Sequence, residues 1–463
     1  MNKKLMALAV AGAFVAPGVA VAQVTSAAPT AGVASNTGIT LYGRLDETIM
    51  NSKYSSVSEP SGVPSVRTAG EIKKGDIYSP GNAIGVRGRE DLGGGTAAWF
   101  QLEAGAWPDG RLDSAASTGS HFGGRNSGIG VSSGLGDIML GIWDTPYKQT
   151  MFMWNSLTSG GFSSGGIIMG NGDTTGALNN VLCTNTVSNA TGTPAAGANS
   201  VCVTESTANN TAFSRRVNNS IQYWSPVFSG LQFKLMTAMA NYKGSTNNNN
   251  FPNGVPSPKE YSGNITWARG PLSLGLGADM HQGLRANTAV GGKLDTKDTA
   301  VMLGAKWNFG IGEVGVAGEK ISYGDNSATA VSTKMDVTSY VVNGRFNVGP
   351  GALWASYSTT PGGKSCNEVG SAAAANGNTI GGSSCGIEAK MATIGYDYIL
   401  SKRTKMYAAY SKIDNGLKFG TQNVGTSYYY IAGPAANVGV GGSGGLVPGT
   451  DVTTFGLGLQ HIF

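Results

Sequence analysis

Residues 451–463 read DVTTFGLGLQHIF, and their alternation decides the fold. Phe455, Leu457, Leu459 and Phe463 occupy one set of alternate positions. Thr454, Gly456, Gly458 and Gln460 occupy the other, and only His461 and Ile462 fall out of step. Successive side chains of a strand point to opposite faces, so this segment has one greasy face and one small or polar face. A strand of that kind belongs to the edge of a soluble sandwich or to a membrane. The chain upstream has to distinguish them.

Upstream to Ile39 the same texture repeats. Strand-like runs of about ten residues are separated alternately by short turns and by long polar connections. The short ones are LGGG at 92–95, SGLG at 133–136, VFSG at 227–230, ARGP at 268–271, FGIG at 309–312, VGPG at 348–351 and LSKR at 400–403. The long ones fall near 51–76, 108–122, 147–213, 243–258, 283–297, 324–334, 360–387 and 415–450. Strands are expected to begin near Ile39, Ile77, Thr96, Gly123, Gly136, Ser214, Leu231, Lys259, Leu272, Asp298, Gly312, Met335, Gly351, Glu388, Lys402 and Asp451. Tight turns on one side and long loops on the other fit a transmembrane antiparallel β-barrel. The even count of sixteen lets the first and last strands pair and leaves no open edge in lipid. A hairpin hidden in 147–213 would raise the count to eighteen.

The faces are consistent from strand to strand. In ITLYGRLDE, Ile39, Leu41 and Leu45 oppose Thr40, Tyr42, Arg44 and Asp46; in NAIGVRGRED, Ile84 and Val86 oppose Arg87 and Arg89. A soluble sandwich would carry Lys/Glu-rich charge on its polar face, which is sparse here. Trp267, Trp307, Phe309, Phe346, Tyr396, Tyr398 and Tyr407 fall at strand ends, the placement of an interfacial aromatic girdle.

Composition agrees. The chain holds 72 glycines in 463 residues with few charges, a poor recipe for a helical core and a good one for many strands and turns. Residues 1–22 combine Lys3 and Lys4, an apolar stretch and the small-x-small site Ala20-Val21-Ala22, so they read as a cleaved secretory signal peptide. Residues 23–38 form a polar N-terminal arm and 39–463 the barrel domain. No later stretch is apolar for the ~18 residues a spanning helix needs. The net charge of +5 falls to +3 without Lys3 and Lys4, and its scatter gives no nucleic-acid footprint. Cys183 and Cys202, then Cys366 and Cys385, are two equally spaced pairs in Gly/Ser/Asn-rich loops; in an exported chain they read as one disulfide within each loop. A zinc site built from all four is the alternative and lacks CxxC spacing.

ITLYGRLDE, AIGVRGREDLGGGTAAWFQLE, RVNNSIQYWSPVFSGLQFKL, TIGYDYILSKRTKMYAAYS and FGLGLQHIF together resemble the general trimeric porins of Gram-negative outer membranes, especially their beta-proteobacterial branch. The resemblance implies an outer-membrane homotrimer in contact with lipid and lipopolysaccharide. It implies a C-terminal Phe463 read by the outer-membrane assembly machinery, and a third loop, here 147–213, that folds into the lumen. Two departures stand out: GIWDTP places Ile142 where the family usually has Arg, and the third loop is longer than usual.

Between Lys148 and Arg215 that loop carries only Asp173 and Glu205 as charges, so its glycine-rich strip should line the constriction with backbone, hydroxyls and amides. Parity turns Arg44, Arg87, Arg89 and Arg216 toward the lumen, with Lys390 and Lys405 added by resemblance; Asp46, Asp91 and Glu103 face the same way and offset part of the charge. A ring of arginines in a narrow pore favours anions. Arg87 and Arg89, beside Glu90 and Asp91, could equally brace the wall. Trp143 and Trp154 at the loop's root read as packing anchors rather than sugar platforms. The GIGEVG at 310–315 sits in a turn with no helix after it, and His121, His281 and His461 are far apart without a nucleophile pattern, so neither dinucleotide binding nor hydrolysis is expected. The reading is a passive, weakly anion-preferring channel for small hydrophilic solutes, without cofactor or metal. A barrel-anchored adhesion protein and a substrate-selective channel are the alternatives.

Overall fold

The computed structural model describes residues 38–55, 71–106, 108, 123–157, 162, 169, 185–187, 201–203, 212–239, 259–282, 285–286, 297–324, 335–361, 388–415 and 451–463. The wall begins with β1 (Gly38–Tyr54), β2 (Ile72–Tyr78), β3 (Ala83–Gly93), β4 (Thr96–Gly105), β5 (Ser127–Ser133) and β6 (Gly136–Asp144). A helix, α1 (Pro146–Trp154), and two short strands, β7 (Asn185–Val187) and β8 (Val201–Val203), follow. The wall resumes with β9 (Arg216–Trp224), β10 (Leu231–Met239), β11 (Lys259–Arg269) and β12 (Leu272–Gln282); β13 is the dipeptide Arg285–Ala286. It is completed by β14 (Lys297–Asn308), β15 (Gly312–Tyr323), β16 (Met335–Val348), β17 (Gly351–Pro361), β18 (Glu388–Ile399), β19 (Thr404–Asn415) and β20 (Val452–Ile462).

Each wall strand pairs antiparallel with its neighbour, and β20 returns to β1 from Arg44↔Ile462 to Tyr54↔Val452. The alternating segment at 451–463 is therefore the closing strand. Phe463 seals the seam: its N–H donates to the Gly43 carbonyl at 3.0 Å, and the Gly43 N–H donates back at 3.0 Å. Both β2 and β3 pair with β1, as two halves of one strand interrupted at 79–82, so the closed barrel has sixteen strands. Among the described residues, 147–213 adds no wall strand; β7 and β8 form a separate small sheet with β13.

Alternation sorts the two faces as amphipathic strands require. Ile39 (76% exposed), Leu41 (60%) and Leu457 (51%) face outward, whereas Met50, Trp99, Met302 and Trp354 are buried inside. Trp307, Phe309, Phe346 and Tyr398 are exposed near strand ends, as a girdle requires. Tyr407 departs from that expectation: it lies inward, 3% exposed, and donates to Asp46 at 2.7 Å. Its place at a strand end suggested an interface, but the parity of β19 and a carboxylate partner across the seam hold it inside. Lys390 is also corrected. It shares the exposed outer parity of Ala392 and Ile394, while Ala389 and Met391 are the buried inner residues. Lys405, in contrast, is inward and buried.

The lumen is partly filled. Helix α1 starts where Thr145 caps it, the hydroxyl accepting from the Lys148 N–H, and where Pro146 suits the first turn. It descends along the inner face of β11, β12, β14 and β15. Inward glycines make this seat possible: a Cβ at Gly277 would stand 2.7 Å from Thr150 Oγ1, and Cβ atoms at Gly304 and Gly315 would overlap Trp154 itself. Around this seat, Tyr147, Met151 and Trp154 join a buried cluster with Phe213, Met302, Ile321 and Tyr323.

Candidate functional site

The inner wall from β1 through β9 carries a strip of ionic and amide side chains at the level of α1. Strand parity places Tyr42, Arg44 and Asp46 inward on β1 and Gln101 and Glu103 inward on β4. The residues just before β5 supply Arg125 and Asn126, and the facing ends of β6 and β9 supply Asp144 and Arg216. Arg44 pairs with Asp46 at 2.7 Å. Tyr42 donates its hydroxyl to Glu103 at 3.1 Å, and Arg125 pairs with the other oxygen of Glu103 at 2.7 Å. Asn126 donates to Asp144 at 2.8 Å and accepts from Arg216 Nε at 2.6 Å. Asp144 is shared by Arg216 at 3.3 Å and Lys148 at 2.8 Å. Burial pushes the Lys148 ammonium below its ordinary value, and the Asp144 carboxylate opposes that shift.

A second group lies across the seam, on β16 to β19. Asp397 accepts from Arg345 at 2.6 Å, Lys405 at 3.1 Å and Trp354 Nε1 at 2.9 Å. Together these groups set seven cations, Arg44, Arg125, Lys148, Arg216, Arg345, Lys405 and Arg87, against four carboxylates, Asp46, Glu103, Asp144 and Asp397. Among the described residues, Arg87 faces the Tyr42 ring, 5.1 Å away, rather than a carboxylate. The carboxylates are at most 5% exposed, while Arg44, Arg125, Lys148, Arg216 and Arg345 keep 15–22% of their side-chain surface open. Within these two groups, the charge left open to the lumen is therefore positive.

The opposite wall has the reverse balance but is covered. Tyr147 of α1 donates to Glu319 at 2.7 Å, and the Ser156 N–H donates to Asn343 at 2.9 Å, so the loop lies over Glu319, Glu260 and Asp279, which are each 3% exposed.

Of the residues singled out from sequence, the structure gathers Arg44, Asp46, Glu103 and Arg216 at the depth of α1. Arg87 and Arg89 lie progressively nearer the short-turn rim, where Arg89 donates to Ser132 at 3.3 Å. Asp91 is not brought into the strip: it is exposed at the β3–β4 turn, and its carboxylate accepts the Gly93 N–H at 2.9 Å. Parity gave the side on which Asp91 lies but not its depth. Asp173, Cys183, Cys366 and Cys385 lie outside the described residues, as does the segment 1–22. Cys202 falls in β8. Trp143 and Trp154 are fully buried; Trp143 packs with Trp99 and Trp224 at centroid distances of 5.9 and 5.5 Å. Sequence reasoning missed Arg125, Asn126, Asp144 and Lys148. The Asp-Thr-Pro that opens α1, with Thr145 as its cap, was the available signal, since a capped helix start fixes where its first-turn lysine points.

A closed antiparallel barrel with an apolar exterior, a charged interior and a helix packed inside defines a membrane-spanning β-barrel with a hydrophilic lumen. The chain belongs to the Gram-negative porin family, whose model matches residues 7–418. Its place is the Gram-negative outer membrane. It is 36% identical over 132 residues to the major outer membrane protein P.IB of Neisseria gonorrhoeae, a match covering 28% of this chain and 34% of that protein. The chain thus spans about a third of the length of the Neisseria relatives it matches. Outer membrane porin protein 32 of Delftia acidovorans is 25% identical over 68% of both chains. Among solved structures, the anion-selective porin from Comamonas acidovorans superposes with a TM-score of 0.59 at 21% identity, covering 92% of this chain and all of that one.

Proposed function

We propose that this barrel is a passive diffusion channel for small hydrophilic solutes, with a weak preference for anions. The observation that carries the reading is the mismatch of exposure: lumen carboxylates are buried behind their partners while arginines and Lys148 keep open surface. Water in the lumen then meets positive charge at distances shorter than the ~8 Å Debye length of physiological salt. The structurally similar Comamonas acidovorans porin is anion-selective, which is consistent with this reading. Arg44, Arg125 and Arg216 set the preference; Arg87 and Arg89 extend it toward the short-turn rim.

The working unit is a homotrimer, joined through the outer face near the termini. There an outward apolar groove is lined by Ile49, Ile77, Tyr398, Met406, Leu457 and Leu459. At its margin, Glu47 accepts hydrogen bonds from Ser79 at 2.7 Å and Asn82 at 2.9 Å, which hold its carboxylate at the edge of the apolar groove. Lipopolysaccharide contacts the long loops, the assembly machinery reads Phe463, and each long loop bearing two cysteines is closed by a disulfide. The deciding experiment is single-channel recording of the refolded protein in planar bilayers under a KCl gradient. Conductance in threes with a reversal potential on the chloride side supports the reading; a folded barrel that does not conduct, or that reverses on the potassium side, overturns it.

A further inference from the structure

On β11 and β12, three ionisable residues are brought together by register. Asp279 and His281 are two apart on the same face of β12, and Glu260 stands directly opposite His281 on β11. Their side chains are at most 4% exposed. His281 Nε2 lies 3.4 Å from Asp279 Oδ1 and 3.7 Å from Glu260 Oε1, too far for good hydrogen bonds. Both ring nitrogens of His281, both oxygens of Asp279 and Oε1 of Glu260 have no hydrogen-bond partner among the described residues. Five buried polar atoms facing one another without partners is a costly arrangement, and native interiors rarely tolerate it.

The spacing suggests what satisfies them. Ligands held about 2.0–2.2 Å from a tetrahedral ion stand roughly 3.3–3.6 Å from one another. The 3.4 Å separation from Nε2 falls within that range, the 3.7 Å one lies just beyond it, and all three ligand atoms fall within 4.8 Å of each other. The surroundings are also those of a metal site. Arg215 lies 3.5 Å from Glu260 Oε2, leaving Oε1 for one-point ligation, and Phe213 stacks on the imidazole at 4.2 Å, fixing the ring plane and excluding water. Two carboxylates against one guanidinium leave a buried negative charge. A proton on one group would satisfy a single contact; a divalent cation satisfies all three ligands at once.

We propose that Glu260, Asp279 and His281 form a divalent-cation site of the zinc class, with water as a fourth ligand. One imidazole nitrogen and two carboxylate oxygens in a buried pocket suit Zn²⁺ or Co²⁺ rather than Ca²⁺ or Mg²⁺, which want more oxygens and more water. The ion ties β11 to β12 beneath Phe213 and Arg215, where the constriction loop rejoins the wall. The proposal is independent of whether the lumen conducts.

The test uses full-length protein refolded from chelator-treated material, dialysed against Zn²⁺ and analysed for metal, with Co²⁺ as a spectroscopic probe. One tightly held Zn²⁺ per chain is expected, together with the intense visible bands of four-coordinate Co²⁺. His281→Ala and Asp279→Asn should each weaken binding at least tenfold while keeping the heat-modifiable gel mobility of a folded barrel. Glu260→Gln serves if either fails to fold. Absence of bound Zn²⁺ in the folded wild type, Zn²⁺ retained equally by the variants, or a six-coordinate Co²⁺ spectrum overturns the site.

Discussion

Asp144 and Arg216 give the charge argument its sharpest test, because neutralising each should move selectivity in opposite directions. Asp144→Asn releases Arg216 and Lys148, which now share that carboxylate at 3.3 and 2.8 Å, and adds one net positive charge to the lumen. Arg216→Gln removes one. A unit charge about 5 Å from the path of an ion contributes roughly 0.8 kcal/mol in water. Screening at 0.1 M salt reduces this to about 0.5 kcal/mol. The effect raises the anion and lowers the cation together, so the permeability ratio shifts by about 1 kcal/mol, or roughly fivefold. In 1 M salt, with a Debye length of about 3 Å, the shift should fall below twofold. The assay is the reversal potential across a bilayer under a KCl gradient at both ionic strengths. Asp144→Asn should make the channel more anion-selective and Arg216→Gln less so. Shifts of the same sign, or shifts that survive 1 M salt, would refute the electrostatic reasoning.

Gly315→Val places side-chain atoms where Trp154 now lies, so α1 should leave its seat; single-channel conductance is expected to rise, with about 1–3 kcal/mol lost in thermal stability. An unchanged conductance would mean the helix does not narrow the lumen. Asp397→Ala removes the buried carboxylate that Arg345 and Lys405 share and should cost about 3–5 kcal/mol, read as a lower temperature for loss of the heat-modifiable band. Peptide mass spectrometry before and after reduction should show Cys183 with Cys202 and Cys366 with Cys385; any cross-pairing would defeat the loop-disulfide reading.

The wall was legible because alternation survives in isolation. A strand with one face in lipid and one in water writes its own register, and starts at Thr96, Gly136, Leu231, Lys259, Leu272, Gly312, Met335, Gly351 and Glu388 could be read directly. What could not be read is whatever depends on pairing across the barrel. Tyr407 meets Asp46, 361 residues away, and no local pattern announces that a strand-end tyrosine has a carboxylate waiting inside. Lys390 shows the other failure: near a strand's end one residue decides the face, and the basic side chain was assigned to the lumen by resemblance rather than by parity. The Glu260, Asp279 and His281 cluster was hidden because Glu260 sits on the preceding strand, and only the β11–β12 register brings it beside Asp279 and His281.

The seam between β1 and β20 has a consequence for how such a protein is made. The two strands that close the sheet, β1 and β20, lie about four hundred residues apart along the sequence, so the ring cannot be completed piecemeal from one end. Until β20 docks along β1, both edges are exposed rows of unpaired amides, which hydrocarbon does not tolerate and which invite pairing with other chains. A chain cut short anywhere before Val452 therefore has no smaller barrel to fall back on; it is an open sheet to be held or destroyed. Insertion and closure are therefore coupled, and both wait on β20.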